Sequence, residues 1–406
     1  MTSVPRAQPN PKTSIQLEVE EFTTWEQVQT LEPLWNGLVL ASEDPSLYLT
    51  FEWFSSWWQC HGKGKRLLVL TVREGTRVIA IAPLMKVGMA FGLIQKVHFI
   101  SMMRNANSPL NYAASLSIIA TERMDEVVQR IFEHLQQKHR WHFMKLHPIR
   151  EGSHFLDALE RLAAQRSLQF HKWTVFQNAC VDTEGGWEAY NAKLSKGLRK
   201  SFRRVERRLH ELGEVKYGDY RSIDELPNGF DDIDAIEKKS WKWRQGMPIS
   251  APRYRGFYRK LAEACGRKGW LHLRTLEVTG NKIAYDFNID FEGRVESMKA
   301  SYDHRYEKYS PGTLLLHDVL KQFFRSGVTR INMLWGVFGY KRRVLTHLET
   351  HCEIFLFNQG LVAKLLHFFL FRLSFYSRQL ALKRWAWRLH YRLQHLNPLR
   401  DDDDRD

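Results

Sequence analysis

Two distant stretches of this chain spell out the same order of elements, and that repetition constrains the fold more than any other feature. FEWFSSWWQCHGKGKRLLVLTVREGTRVIAIAP (51–83) reads as a short helix, a Gly/Lys turn, a strand, a glycine turn and a strand. GFYRKLAEACGRKGWLHLRTLEVTGNKIAYDFNID (256–290) repeats that order. Phe51 precedes Gly75 by 24 residues, and Phe257 precedes Gly280 by 23. Both turns then run glycine, any residue, a base, a β-branched residue (Gly75-Thr76-Arg77-Val78 and Gly280-Asn281-Lys282-Ile283), which is a hairpin signal.

The match continues beyond each hairpin. KVHFIS (96–101), a helix near 122–138 and WHFMKLH (141–147) answer RVESMKASYDH (294–304), TLLLHDVLKQFFRSG (313–327) and VTRINMLWG (328–336). Each half therefore reads helix, helix, hairpin, strand, helix, strand. A strand–helix–strand step favours a parallel pair at the end of a mostly antiparallel sheet. The expectation is a mixed α+β chain of two tandem lobes. The first spans 17–180 and the second 181–360, with the join near 180–187. Residues 1–16 read as a disordered lead-in, 361–399 as a basic helical tail and 400–406 as a disordered acidic end.

Charge is local. The net charge is +15, and eight Lys/Arg against one Glu fall within 193–210. Seven more, with no acid, fall within 361–399. In the first of these segments Leu194, Leu198, Phe202, Val205, Leu209 and Leu212 form one helical stripe. Lys196, Arg199, Lys200, Arg203, Arg204, Arg207 and Arg208 fill the other faces, suiting a phosphate-rich ligand, a tRNA, an anionic membrane or plain solvent. The tail mixes aromatics with bases, as an interfacial helix does, or a helix docked on the lobes. No apolar run reaches the ~18 residues of a spanning helix.

The four cysteines are far apart, and the spacing of His134, His139, His142 and His147 fits no usual metal pattern. No metal is expected, and the setting is read as reducing and cytoplasmic. Peripheral contact at the inner face of the membrane would follow if the tail is interfacial.

In EKYSPGTLLLHDVL (307–320), proline and glycine stand directly before a leucine-rich helix. Such a strand–loop–helix junction presents free N–H groups at the positive end of the helix dipole, which suits a pyrophosphate as well as a plain turn.

The segment KASYDHRYEKYSPGTLLLHDVL resembles the acyl-CoA-binding segment of the GNAT acetyltransferase superfamily. It is most similar to the CelD/BcsL-type acetyltransferases of cellulose and exopolysaccharide synthesis. SWKWRQG (240–246), LEVTGNKIAYDF, GYKRR (339–343), FEWFSSWW and IAIAPLMK resemble further parts of that family in order. The resemblance spans about 17–357. It implies two GNAT-like lobes, as in FemAB-like aminoacyl transferases. Only the second keeps the Tyr309-Ser310-Pro311-Gly312-Thr313 junction. The first offers Asn107-Ser108-Pro109-Leu110-Asn111 and is expected to wall the cleft. One departure stands out: Asn332 occupies the place, after Ile331, where an acidic residue is expected.

The implied chemistry is acyl transfer from acetyl-CoA or another acyl-CoA to an amine. Tyr309, Ser310, Pro311, Gly312, Thr313 and Leu314 would hold the pyrophosphate. N–H groups along 296–304 would polarise the thioester. Asp303 or Asp286 would receive the proton, and Tyr302 or Tyr340 would protonate the thiolate. Trp241, Lys242, Lys299 and Lys341 would bind substrate. The acceptor is expected to be an amino sugar or another envelope-related amine. An aminoacyl-tRNA-dependent transferase and a non-catalytic assembly subunit at the membrane are the competing readings.

Overall fold

The computed structural model describes residues 16–91, 94–103, 115–244, 249–337 and 339–373. The strands among them are β1 (Leu17–Phe22), β2 (Arg66–Glu74), β3 (Arg77–Phe91), β4 (Ile94–Met102), β5 (Ile119–Ala120), β6 (Phe143–Arg150) and β7 (Phe170–Asp182), followed by β8 (Val215–Tyr220), β9 (Leu271–Val278), β10 (Asn281–Phe291), β11 (Arg294–Tyr302), β12 (Arg330–Trp335) and β13 (His347–Phe357). They join in one sheet ordered β1-β2-β3-β4-β6-β13-β7-β12-β11-β10-β9-β8, with β5 on the side of β3. Exchange each strand for its counterpart in the other half (β1 for β8, β2 for β9, β3 for β10, β4 for β11, β6 for β12, β7 for β13) and the order reads the same from the far end. The duplication legible in the sequence is thus matched by the topology.

At the centre the halves trade strands. β7, the last strand of the first half, lies between β12 and β13. β13, the last of the second, lies between β6 and β7. The sequence reading had no final strand in either half, so β7 and β13 are additions to it. So is the helix His154–Gln165 that leads into β7. The join expected at 180–187 begins inside β7, which pairs with second-half strands only.

The two hairpins form as the turn glycines require. Gly75 has φ +61° and Gly280 φ +78°, backbone conformations that L side chains rarely adopt. Helix Phe51–His61 and its counterpart Pro252–Arg267 pack on one another, with the Trp53 and Phe257 rings 5.1 Å apart and edge-on. Much of the aromatic richness of FEWFSSWW is therefore core: Trp53 and Trp57 are buried.

On the other face of the second half, the basic helix Lys196–His210 buries Leu198, Phe202, Val205 and Leu209. It packs against the helix Pro311–Arg325, where Phe202 meets His317 at 4.2 Å. The stripe ends there, because Leu212 lies past the helix and is 38% exposed. The first part of the tail docks on the sheet. Helix Leu361–His367 buries Ala363, Leu366 and His367, and His367 Nε2 lies 2.8 Å from His171 Nε2 on β7. The rest of the tail and the Asn107–Asn111 stretch lie outside the described residues.

Candidate active site

β11 and β12 run parallel but pair over only three positions, Arg294↔Arg330, Val295↔Ile331 and Glu296↔Asn332. Beyond them both strands deviate. β11 carries a bulge opposite Phe287/Asn288, where its register to β10 skips Met298. β12 shifts register against β7 between Asn332 and Trp335. Leu334 there sits at φ +61°, a strained conformation for a leucine. Two side chains hold that strain. Asn332 Oδ1 accepts the Leu334 N–H at 2.9 Å. Lys341 Nζ donates to Met333 O at 2.6 Å and Trp335 O at 2.9 Å. Asn332, out of place as a missing carboxylate, thus has a structural task that an amide side chain performs.

The gap opened past Glu296 and Asn332 draws together several of the expected residues. Lys242 donates to Ala300 O on β11. Lys299, on the bulged stretch, is pulled down to about 7 by burial and then by the charge of Lys242. Lys341 falls to about 8 for the same two reasons. Burial raises the Asp286 carboxyl to about 6, against the pull of Lys242 and Lys341. Asp286 also accepts from Ser297 Oγ at 3.3 Å. Lys242 and Lys341 thus act on Asp286, while Lys242 and Lys299 also feel the Glu237 carboxylate. Trp241 and Tyr340 are more open, 38% and 44% exposed.

Trp241 and Lys242 lie on the short helix Trp241–Arg244, and the chain beyond it is anchored at Ile249 and Ser250 by Glu237, a residue the sequence reading passed over. Its carboxylate accepts from Ile249 N at 3.1 Å, Ser250 N at 2.9 Å, Ser250 Oγ at 2.6 Å and Tyr285 Oη at 2.6 Å.

Asp303 is not in this group. It caps the 3₁₀ turn His304–Tyr309 through the Arg305 N–H at 3.0 Å. It also takes the Arg305 guanidinium at 2.7 Å. Burial would raise its pKa, but the hydrogen bonds and charge of Arg305 outweigh it and hold the carboxyl below its ordinary value. A carboxylate held that way is a poor proton acceptor at neutral pH.

The Pro-Gly junction is built as follows. Ser310 sits at φ 51°, ψ 51°, and the helix begins at Pro311, two residues earlier than Thr313. Proline tolerates the first helical position because its missing N–H would have no intrahelical partner there. The helix start has no side-chain cap, and Thr313 N–H turns back to Ser310 O at 3.0 Å. A Cβ on Gly312 would lie 3.3 Å from Tyr302 Cδ1, so the missing side chain lets the Tyr302 ring sit close to the helix start. Tyr302 keeps its proton to higher pH than usual, through burial and then the Glu307 charge. Arg208 of the basic helix stands 5.3 Å from the Tyr309 ring.

The structure also singles out Glu296, which the sequence reading missed. It is 5% exposed at the apex of the gap, and burial pushes its carboxyl up to about 8, with Arg330 pulling the other way. Its Oε2 has no hydrogen-bond partner among the described residues. It lines a polar cavity of about 10 Å³, room for about one water, closed from the first half by Asp44, Pro45 and Ser46. Arg294 and Arg330 both pair with Asp44. Tyr48 Oη reaches Met298 Sδ at 3.6 Å. The first half therefore walls the apex. The available signal was the alternation in RVESM, which puts Glu296 and Met298 on one face.

Residues 196–342 match the Acetyltransf_6 family, described as an acetyltransferase (GNAT) domain. Among solved structures, FemX is similar at 10% identity and TM-score 0.54, over 82% of this chain and 96% of that one. L-PGS from Bacillus licheniformis is similar at 11% identity and TM-score 0.47, over 80% and 95%. A tandem GNAT protein from the clavulanic acid biosynthesis pathway is similar at 11% identity and TM-score 0.44, over 84% and 98%. Comparison with curated protein sequences gives no match. The fold is thus mixed α+β, built on one large, mostly antiparallel sheet, and is similar to that of FemX. Its second half carries an acetyltransferase-type domain, which supports an acyltransferase. No helix among the described residues is long and apolar enough to cross a membrane.

Proposed function

We propose that the second half is an acyl-CoA-dependent N-acyltransferase acting on an amine of an envelope or exopolysaccharide-related acceptor. The observation that carries this reading is the gap between β11 and β12, which pair over three positions and then bulge apart. An acyl arm laid along that gap would meet backbone donors of β11. Its pyrophosphate would lie at the uncapped start of Pro311–Arg325, helped by the basic helix beside Tyr309. Glu296, or Asp286 from the other side of the sheet, would take the ammonium proton. Tyr302, held protonated, would return one to the departing thiolate. The acceptor class follows from the CelD/BcsL resemblance in the sequence.

The second reading is aminoacyl-tRNA-dependent transfer, favoured by the outward bases of Lys196–His210 and the FemX-like fold. Calorimetry with acetyl-CoA on wild type and Gly312→Trp tests the first reading. Acetyl-CoA should bind the wild type, and the indole, crowding Tyr302 and the helix start, should weaken it at least about ten-fold, about 1.4 kcal/mol. Absence of binding to wild type, or equal binding to both, overturns it. Steeply salt-dependent tRNA binding without acetyl-CoA binding would establish the second.

A further inference from the structure

Far from the gap, β1 and the end of the helix Met124–Lys138 bring three ligating side chains together. Glu21 lies on β1, His134 lies near the end of the helix, and His139 is its C-terminal cap. One oxygen, Glu21 Oε1, stands 2.5 Å from His134 Nε2 and 2.9 Å from His139 Nε2. All the ligand atoms lie within 4.8 Å of one another. The side chains are 17%, 17% and 26% exposed (His134, His139, Glu21), so the cluster is sheltered yet open to an ion from solvent. Glu21 pairs with no Lys or Arg among the described residues. Burial opposes its charge, and the two histidines bring its carboxyl below the ordinary value.

We propose that Glu21, His134 and His139 form a Zn²⁺ site, with the fourth position left to water. Two imidazole nitrogens and one carboxylate oxygen are a usual donor set for this borderline cation. With metal–ligand bonds of about 2.0–2.1 Å, tetrahedral ligand atoms stand about 3.3 Å apart. The two His–Glu contacts must therefore open by only about 0.4 and 0.8 Å, within reach of side-chain rotation. Each Nε2 then turns a lone pair to the metal, and its proton moves to Nδ1 or to solvent, so binding weakens in acid. The ion would tie an edge strand to a helix end 113 residues later in the chain.

A second group, Cys180, His347 and Glu349, meets the same distance condition. It is a worse site. The Arg330 guanidinium already pairs with Glu349, and burial pushes the Cys180 thiol up, away from the thiolate a metal needs. A metal there would have to displace one cation and ionise a buried thiol.

The test uses the full chain, free of affinity tags and treated with chelator. Calorimetry with ZnCl₂ should show a site that is lost in His134→Gln and in His139→Gln, each weakening binding by about a hundred-fold or more. Co²⁺ in its place should give the visible absorption of a tetrahedral ion, again lost in both variants. Zn²⁺ should raise the Tm of wild type and of His347→Gln, and leave that of His134→Gln unchanged. His134→Gln and His139→Gln should keep the wild-type far-UV circular dichroism, since neither histidine is in the buried core and a glutamine amide can still donate to Glu21. The proposal is overturned if wild type takes up no Zn²⁺ at micromolar concentration. Binding that survives both substitutions, or that disappears in His347→Gln, overturns it equally.

Discussion

Replacing Glu296 with Gln tests the apex of the gap more sharply than any other change. The carboxyl is buried and titrates near 8, against an ordinary 4.5. Below pH 4.5 both folded and unfolded chains hold the proton, and the group is neutral to stability. Between 4.5 and 8 the unfolded chain has lost the proton and the folded chain keeps it. Unfolding then releases a proton, so stability falls as pH rises, by about 1.4 kcal/mol per pH unit. Gln keeps the shape and removes the titration. The variant should gain on wild type by about 1 kcal/mol at pH 5, about 3 at pH 7 and about 5 at pH 8.5, apart from a constant offset. Denaturant unfolding followed by tryptophan fluorescence at those three pH values measures this. Asp286 titrates in both proteins, so its contribution cancels in the difference. If the two stability curves run parallel from pH 5 to 8.5, Glu296 is ionised throughout, paired to Arg330, and the reasoning fails. Under the acyl-transfer reading the wild-type rate should also rise with pH toward about 8, and the variant should lose that limb.

Lys341→Ala removes the donor that holds the Met333 and Trp335 carbonyls, so it should cost roughly 2–3 kcal/mol in denaturant unfolding and weaken acetyl-CoA binding. A Lys341→Ala protein as stable as wild type would show that the β12 bulge stands without it. The second half expressed from residue 183 lacks β7, so β12 and β13 lose their shared partner. That fragment should aggregate or elute as soluble oligomers in size-exclusion chromatography, and a cooperative monomer would refute the dependence on strand exchange.

The parts of the fold that local pattern encodes were legible. The hairpins showed through Gly75 and Gly280, whose positive φ the chain cannot reach cheaply with other residues. The buried stripe Leu198, Phe202, Val205 and Leu209 showed through its period. The exchange of β7 and β13 did not show, because pairing between strands some 170 residues apart leaves no local period to read. Within the site, residue types drew attention to Lys242, Lys299, Lys341 and Asp286, which the fold gathers. They also drew attention to Asp303, which Arg305, only two residues on, holds in an ion pair. Glu296 escaped notice because its raised pKa comes from burial beneath a loop of the other half.

Duplication supplies two parallel strand pairs at matching places, each over three positions, so what sets the two apart is the side chains they bring together. In the first half the pairing is Phe99↔Phe143, Ile100↔Met144 and Ser101↔Lys145. Where the second half sets Arg294 beside Arg330, the first sets Phe99 beside Phe143, with rings stacked 5.0 Å apart. Those rings belong to an apolar cluster with Phe357 and Leu366, which the start of the tail covers. Across the sheet the equivalent arginines are met by Asp44, and a buried carboxyl lies next to them. In the first half the aromatic pair is covered by the chain's own tail, and the last pair, Ser101 and Lys145, is closed by the ion pair of Lys145 with the buried Glu353. In the second half the buried Glu296 keeps an oxygen without a hydrogen-bond partner among the described residues and is walled by the loop at Asp44, Pro45 and Ser46. A charged acyl carrier and an ammonium acceptor can be desolvated only beside groups that carry or accept charge. Under the proposed acyl transfer, the unpartnered carboxyl oxygen of Glu296 makes the second apex the better place for the reaction than the first, where the buried carboxylate is already paired.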